Sequence, residues 1–261
     1  MDFNQFRDFI KASFPDLDGA QFERFRQMEP LYRDWNSKIN VISRKDIDSL
    51  YDHHILHSLA IAEYLRTQRP EEYSLFKSPS SNLKVLDLGT GGGFPGIPLA
   101  IVFPSVRFVL CDSIHKKTLV ARSVTDELGL ENVEVVNSRA ESLPDRFDYV
   151  VSRAVASLTD FYPWVKGKYS SSILYLKGGD INEEISELMS RNSMKKGSIS
   201  TWPVDSWLKD NYFEGKFVIN ILEFSVKGLN LHSFLENIKI DRYEKNIPTF
   251  KTQARQQAWL P

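Results

Sequence analysis

The sequence predicts an α/β protein in which a helical N-terminal region precedes a doubly wound, mostly parallel sheet. Three observations predict it. From residue 83 onward, short continuous apolar runs alternate with helical periods, as in strands buried on both faces and joined by helical crossovers. The stretch VLDLGTGGGFPG (85–96) ends the first of these runs with five glycines in eight positions. Residues 1–70 show helical spacing alone.

The elements follow in order. Phe3, Phe6, Phe9 and Ile10 share a helical face, and Pro15 ends that run. Asp18 caps a second helix carrying Phe22, Phe25, Met28, Tyr32 and Trp35 on one side, and Pro30 is expected to kink it. A third helix spans about Ile47 to Leu65. The segment 71–82, rich in Pro and Ser, reads as a linker. The sheet domain, 83–228, begins with strand LKVLDLG, helix FPGIPLAIVFP, strand RFVLCD, helix KKTLVARSVTDELG and strand VEVVNS. It continues with strand FDYVVSRAV, a helix around DFYPWVKGKY, strand SSILYLKGG and helix INEEISELMSRN. KFVINILEFSV (216–226) has no long helix after it, which suits an antiparallel strand completing the sheet. Residues 229–261 form a C-terminal extension of little apolar period and mild basic excess.

Bulk properties narrow the class. The chain has 261 residues, 42% of them hydrophobic and 26% charged, an ordinary globular balance. A net charge of −1 announces no nucleic-acid binder, although a local basic face suffices for one. A single cysteine, Cys111, excludes an internal disulfide and a cysteine-based zinc site. The N-terminus lacks the pattern of a signal peptide and no run approaches 18 apolar residues, so a cytoplasmic protein with no membrane contact is expected. His53 and His57 have i, i+4 spacing, but no third ligand accompanies them, so no metal is expected.

A strand, a glycine turn and a helix N-terminus in succession make a nucleotide loop. Gly91, Gly93 and Gly96 match the dinucleotide pattern; Gly89, Gly91 and Gly93 after Asp87 match the loop of methyltransferases that use S-adenosylmethionine. A pyrophosphate wants bare amides and no acid, whereas a sulfonium and an ammonium favour one. Asp87 therefore fits the second ligand. Asp112 follows Gly93 by nineteen residues at the next strand end, where a carboxylate accepts from ribose hydroxyls of either cofactor. In this fold the turn NSRAES flanks adenine, which brings in Ala140 and Glu141.

The fourth strand ends in Ser152-Arg153-Ala154, without the acid or amide and two prolines of exocyclic-amine methylation. Cys111 is misplaced for a pyrimidine nucleophile. Both negatives point to an acceptor that is already nucleophilic, such as guanine N7. No catalytic base is then assigned, and Arg153 is a positioning residue for the cofactor carboxylate, a phosphate or the guanine edge. Arg44, Lys45, Lys116, Lys117 and Lys177 are candidates for phosphate contact, while Trp35 and Asn36 read as helix packing.

DLGTGGGFPGIPLAI, CDSIHKK, NSRAES, VVSRAVASL and YLKGG together resemble the bacterial small-subunit rRNA methyltransferase family RsmG, also called GidB. The segment YRDWNSKINVISRKDIDSLYDHHILHSLAI resembles its helical region. The resemblance implies a class I S-adenosylmethionine-dependent methyltransferase fold, Rossmann-like, and methylation of N7 of a guanine in the 530-region loop of 16S rRNA. It implies 16S rRNA or a precursor of the small subunit as partner; a monomer is expected, and the alternatives are a methyltransferase for another RNA or a small molecule, or a non-catalytic RNA-binding assembly factor. Cofactor contacts carry over to Gly89, Phe94, Ala140, Glu141 and Arg153, beside Gly91, Gly93 and Asp112. Two departures stand out. His57 occupies a position where many members have an acid, and the tail, a candidate RNA contact, is less basic than is usual.

Overall fold

The computed structural model describes residues 1–143 and 146–223. The extension 229–261 and the last residues assigned to the sheet domain lie outside that range.

The first two helices, α1 (Phe3–Ser13) and α2 (Gly19–Lys38), both open with a capping box, in which Asp2 pairs with Gln5 and Asp18 with Gln21. The second continues through Pro30. Beyond it the chain departs from the single helix expected over 47–65. A 3₁₀ turn (Ile47–Ser49) leads into a π-helical segment (Leu50–Leu56) and then α3 (His57–Gln68). Apolar spacing alone does not separate these windings, yet the wider one sets where three histidines stand.

The expected linker is also helical in part: α4 covers Pro70–Lys77. Pro70 occupies the first turn, where a missing N–H costs nothing, acids follow it and Lys77 ends the helix. Phe76 is buried against Phe103 and Tyr149, so tertiary packing fixes a segment whose composition reads as a breaker.

The sheet then builds as β1 (Lys84–Leu88), α5 (Gly96–Val102), β2 (Arg107–Asp112), α6 (His115–Glu127) and β3 (Val133–Asn137). After a turn come β4 (Phe147–Arg153), α7 (Leu158–Val165), β5 (Tyr169–Gly178) and α8 (Asn182–Arg191). Two more strands, β6 (Ile199–Pro203) and β7 (Lys216–Leu222), complete the order β3-β2-β1-β4-β5-β7-β6. Strands β1 to β5 are parallel, and β7 runs antiparallel to β5 as expected. The edge strand β6, absent from the sequence reading, is short and ends in a proline, so it carries little pattern.

Alternate side chains of β1 enter two cores. Val85 faces a core shared with the N-terminal helices, among them Phe6, Phe25, Tyr32 and Leu59, and with α5 and α6. Leu86 and Leu88 face a second core with Phe161, Tyr175 and Leu188. The N-terminal helices thus form one wall of the sheet domain.

Asp87, on the first of these faces, is fully buried. Its Oδ2 accepts from Thr90 Oγ1 at 2.6 Å and from the Gly96 amide at 2.7 Å. The acid therefore ties both ends of the glycine loop from behind. From α2, the Tyr32 hydroxyl donates to the Gly92 carbonyl at 2.7 Å, and its ring lies 4.8 Å from Phe94.

Two outcomes follow from these contacts. Burial pushes the Asp87 carboxyl from 3.8 up to about 7, so the folded chain holds that proton more tightly than the unfolded chain. This contribution to stability is full below pH 4 and is lost as pH rises to about 7, at roughly 1.4 kcal/mol per pH unit and about 4 kcal/mol at most. Urea unfolding between pH 4 and 8 should show that decline in wild type and a flatter profile in Asp87→Asn; parallel profiles would refute it. Tyr32→Phe leaves a buried carbonyl without its donor, and should lower stability by about 1–2 kcal/mol in the same assay.

Candidate functional site

The strand order reverses between β1 and β4, and a cleft of about 540 Å³ opens above their carboxyl ends. Ligands bind at such a switch point in open α/β sheets. Four loops line it: Gly89–Gly92 with Phe94, Asp112–Ile114, Ser138–Glu141 and Arg153–Val155. Val41, Lys117 and Trp164 close its rim.

The glycine loop brings backbone to the cleft through left-handed conformations that favour glycine, at Gly89 and Gly91, and a close approach at Gly89. Gly89 has a φ of +72°, and a Cβ on it would lie 2.4 Å from a Val155 methyl. Gly91 donates its amide to Asp112 Oδ2 at 3.0 Å, and the Ile114 amide donates to Oδ1 at 2.9 Å. Each Asp112 oxygen keeps acceptor capacity toward the cleft, which suits a ribose diol. The 3₁₀ turn Ala140–Ser142 presents Ala140, nearly buried, with Glu141 exposed beside it. Backbone, an acid and an apolar turn set side by side suit the parts of a nucleoside. Cys111 points elsewhere. Its Sγ donates to the Ser138 carbonyl at 3.2 Å, and burial pushes the thiol up to about 11, which removes it as a nucleophile.

Arg153 ends β4. The turn after it is braced by the Tyr175 hydroxyl, which accepts from the Val155 and Ala156 amides and donates to the Ala156 carbonyl. Ala154, at φ +49°, completes the reversal. The guanidinium packs over Phe94, 5.1 Å from the ring centre, and lies 3.2 Å from His54 Nδ1. His57, at the position of the family acid, is buried with no hydrogen-bond partner on Nε2. Burial, and after it the Arg153 charge, hold its pKa well below the imidazole range, so a neutral ring stands there.

Seven of the eight cofactor candidates meet at the cleft: Gly89, Gly91, Phe94, Asp112, Ala140, Glu141 and Arg153. Gly93 does not line it. A Cβ on Gly93 would strike Ile97 at 2.4 Å and approach the Tyr32 hydroxyl, so this glycine serves the packing of the loop on α2 and α5. Gly92 lines the cleft in its place. The electrostatic reading of Asp87 also needs correction. Strand alternation turns that acid into the core toward Gly96, and it does not line the cleft. Lys177 is occupied as well, by the Ala156 carbonyl and Glu184, each at 3.1 Å.

Val41 and Trp164 were missed by sequence reasoning because nothing in their local pattern marks them. Val41 reaches the loop through a turn whose amides, at 41 and 42, donate to Asn36 Oδ1. Lys117 and Arg139 line the mouth, and Arg44, Lys45 and Lys116 are exposed. Nearby Arg33 and Lys38, by contrast, are held by Glu29, Asp48 and Asp34.

A family model described as GidB, rRNA small subunit methyltransferase G, matches residues 21–206. The curated ribosomal RNA small subunit methyltransferase G of Flavobacterium psychrophilum is 44% identical over 220 residues, covering 81% of this chain and 96% of that protein. The protein of the same name from Porphyromonas gingivalis is 45% identical over 221 residues, covering 81% and 91%. Among solved structures, the magnesium protoporphyrin IX methyltransferase ChlM from Synechocystis PCC 6803, with bound SAM, superposes with a TM-score of 0.51 at 12% identity. It covers 75% of this chain and 97% of that one, a likeness of fold alone. The chain belongs to the GidB family, rRNA small subunit methyltransferase G.

Proposed function

We propose that this chain transfers a methyl group from S-adenosylmethionine to N7 of a guanine in the 530-region loop of 16S rRNA, as a single chain in the cytoplasm. Family membership supports rRNA of the small subunit as substrate and S-adenosylmethionine as donor. The observation that carries the choice of N7 is the absence of a base on the acceptor side. Among the described residues lining the cleft, the acids are Asp112 and Glu141, at the ends of β2 and β3. The β4 end offers Arg153, Ala154 and Val155. A purine N7 needs nothing more: it has a lone pair and no proton to lose.

When bound, S-adenosylmethionine supplies an electrophilic methyl, which N7 takes as the carbon–sulfur bond breaks and S-adenosylhomocysteine leaves. The chain's residues align and shield. In this reading Asp112 accepts from the ribose, Ala140 and Glu141 flank the adenine, and the backbone at Gly89 and Gly91 runs beside the methionine portion. Arg153 holds the cofactor carboxylate with a charge-assisted hydrogen bond. Phe94 stacks under that guanidinium. Alignment and exclusion of water then supply the rate. Arg44, Lys45, Lys116, Lys117 and Arg139 supply cations for RNA phosphates around the mouth, enough for a protein of net charge −1 to engage RNA.

Mass spectrometry of rRNA from cells lacking the gene should show the 530-region guanine unmethylated, with restoration by the intact gene. Persistent methylation there would reject the assignment. In calorimetry, Asp112→Ala should weaken S-adenosylhomocysteine binding by about tenfold or more, the loss of one or two charge-assisted hydrogen bonds. Equal affinity in the variant, or tight NAD binding by wild type, would reject the cofactor site.

A further inference from the structure

Arg153 lines the cleft, and among the described residues no carboxylate pairs with it. Its Nη2 lies 3.2 Å from His54 Nδ1, and its Nη1 donates to the His53 carbonyl at 3.5 Å. The Phe94 ring covers one face. Behind His54 stands Asp46, whose Oδ2 is 2.6 Å from His54 Nε2. The other oxygen, Oδ1, is 2.5 Å from His53 Nδ1, and the His53 ring stacks on Tyr212 at 3.5 Å between centres. Asp46 is thus held at both oxygens.

These contacts fix the tautomer of His54. A guanidinium only donates, so Nδ1 must present its lone pair. A carboxylate only accepts, so Nε2 must carry the hydrogen. Only the neutral ring satisfies both partners. Burial, followed by Arg153, pulls the His54 pKa down to about 4, in accord with that geometry. The consequence is electrostatic. A carboxylate placed directly on Arg153 would orient the guanidinium and cancel its charge. A neutral imidazole orients it and leaves the charge for a ligand, while the anion that anchors the imidazole stays one ring further away.

We propose that Asp46 and His54 are positioning residues that hold the Arg153 guanidinium, still uncompensated, against the carboxylate of the cofactor. This rests on the assignment of Arg153 to that carboxylate. Two ligands separate the role from general support of the fold. S-adenosylhomocysteine carries the carboxylate, and methylthioadenosine shares its nucleoside but lacks the amino-acid portion. By calorimetry on the full chain, Arg153→Ala should lower affinity for S-adenosylhomocysteine by about tenfold or more and leave methylthioadenosine unchanged. His54→Ala should lower the first by roughly threefold to tenfold, spare the second, and add nothing further in an Arg153→Ala background. His54→Gln, whose amide can donate to Asp46 and accept from Arg153, should restore most of the loss. Thermal melts confirm that each variant is folded.

Equal weakening of both ligands by His54→Ala would overturn the relay, as would full additivity with Arg153→Ala or an unchanged affinity. Unchanged S-adenosylhomocysteine binding in Arg153→Ala would instead remove the underlying assignment and the relay with it. The two failures are therefore distinguishable.

Discussion

A single buried carboxylate organises the cleft. Asp87 ends inside the core on the helical face of the sheet, where its Oδ2 gathers the Thr90 hydroxyl and the Gly96 amide. Those two contacts close the loop between β1 and α5. With its ends fixed, the backbone of Gly89 to Gly92 stands at the strand ends, and the Gly91 amide meets Asp112 from β2. The cost is a carboxyl forced to titrate near neutrality. The loop tolerates this because the alternative, unpartnered amides at a buried helix start, is no cheaper.

The N-terminal helices belong to the same construction. Tyr32 holds the Gly92 carbonyl, Val41 presses on Gly92, and Asp46 and His54 stand behind Arg153. The helical region therefore supplies part of the wall of the cleft and the scaffold of the Arg153 cation that lines it. His57 fits the same scheme: its neutral ring sits near Arg153 without cancelling its charge.

The cleft divides by chemistry. The β2 and β3 ends carry acids and apolar turns suited to a nucleoside. The β4 end carries a cation, small residues and Val155, with no acid among the described residues there. Such a division suits methylation of an atom that already owns a lone pair. On the proposed reaction, binding energy goes into alignment of the two reactants. The mouth adds Lys117 and Arg139, where a phosphate backbone needs cations.

Much of this was legible in the sequence. Alternating apolar runs determined the parallel sheet, because strands buried on both faces leave no other pattern. VLDLGTGGGFPG determined a loop for a nucleoside cofactor, because several glycines in a strand-to-helix turn mean close approach of backbone. Asp112 and Arg153 close strands, Ala140 and Glu141 lie in the turn that follows one, and strand ends of this fold converge, so local sequence places all four at the cleft. Tertiary structure alone decided what lies between elements distant in the chain. It turned Asp87 inward by strand alternation, moved Gly93 from ligand to packing, and made a helix of 70–77 by burying Phe76. It also brought Asp46 and His54 to Arg153, a hundred residues away. No local period encodes such meetings, because they depend on which faces of separate elements are buried together.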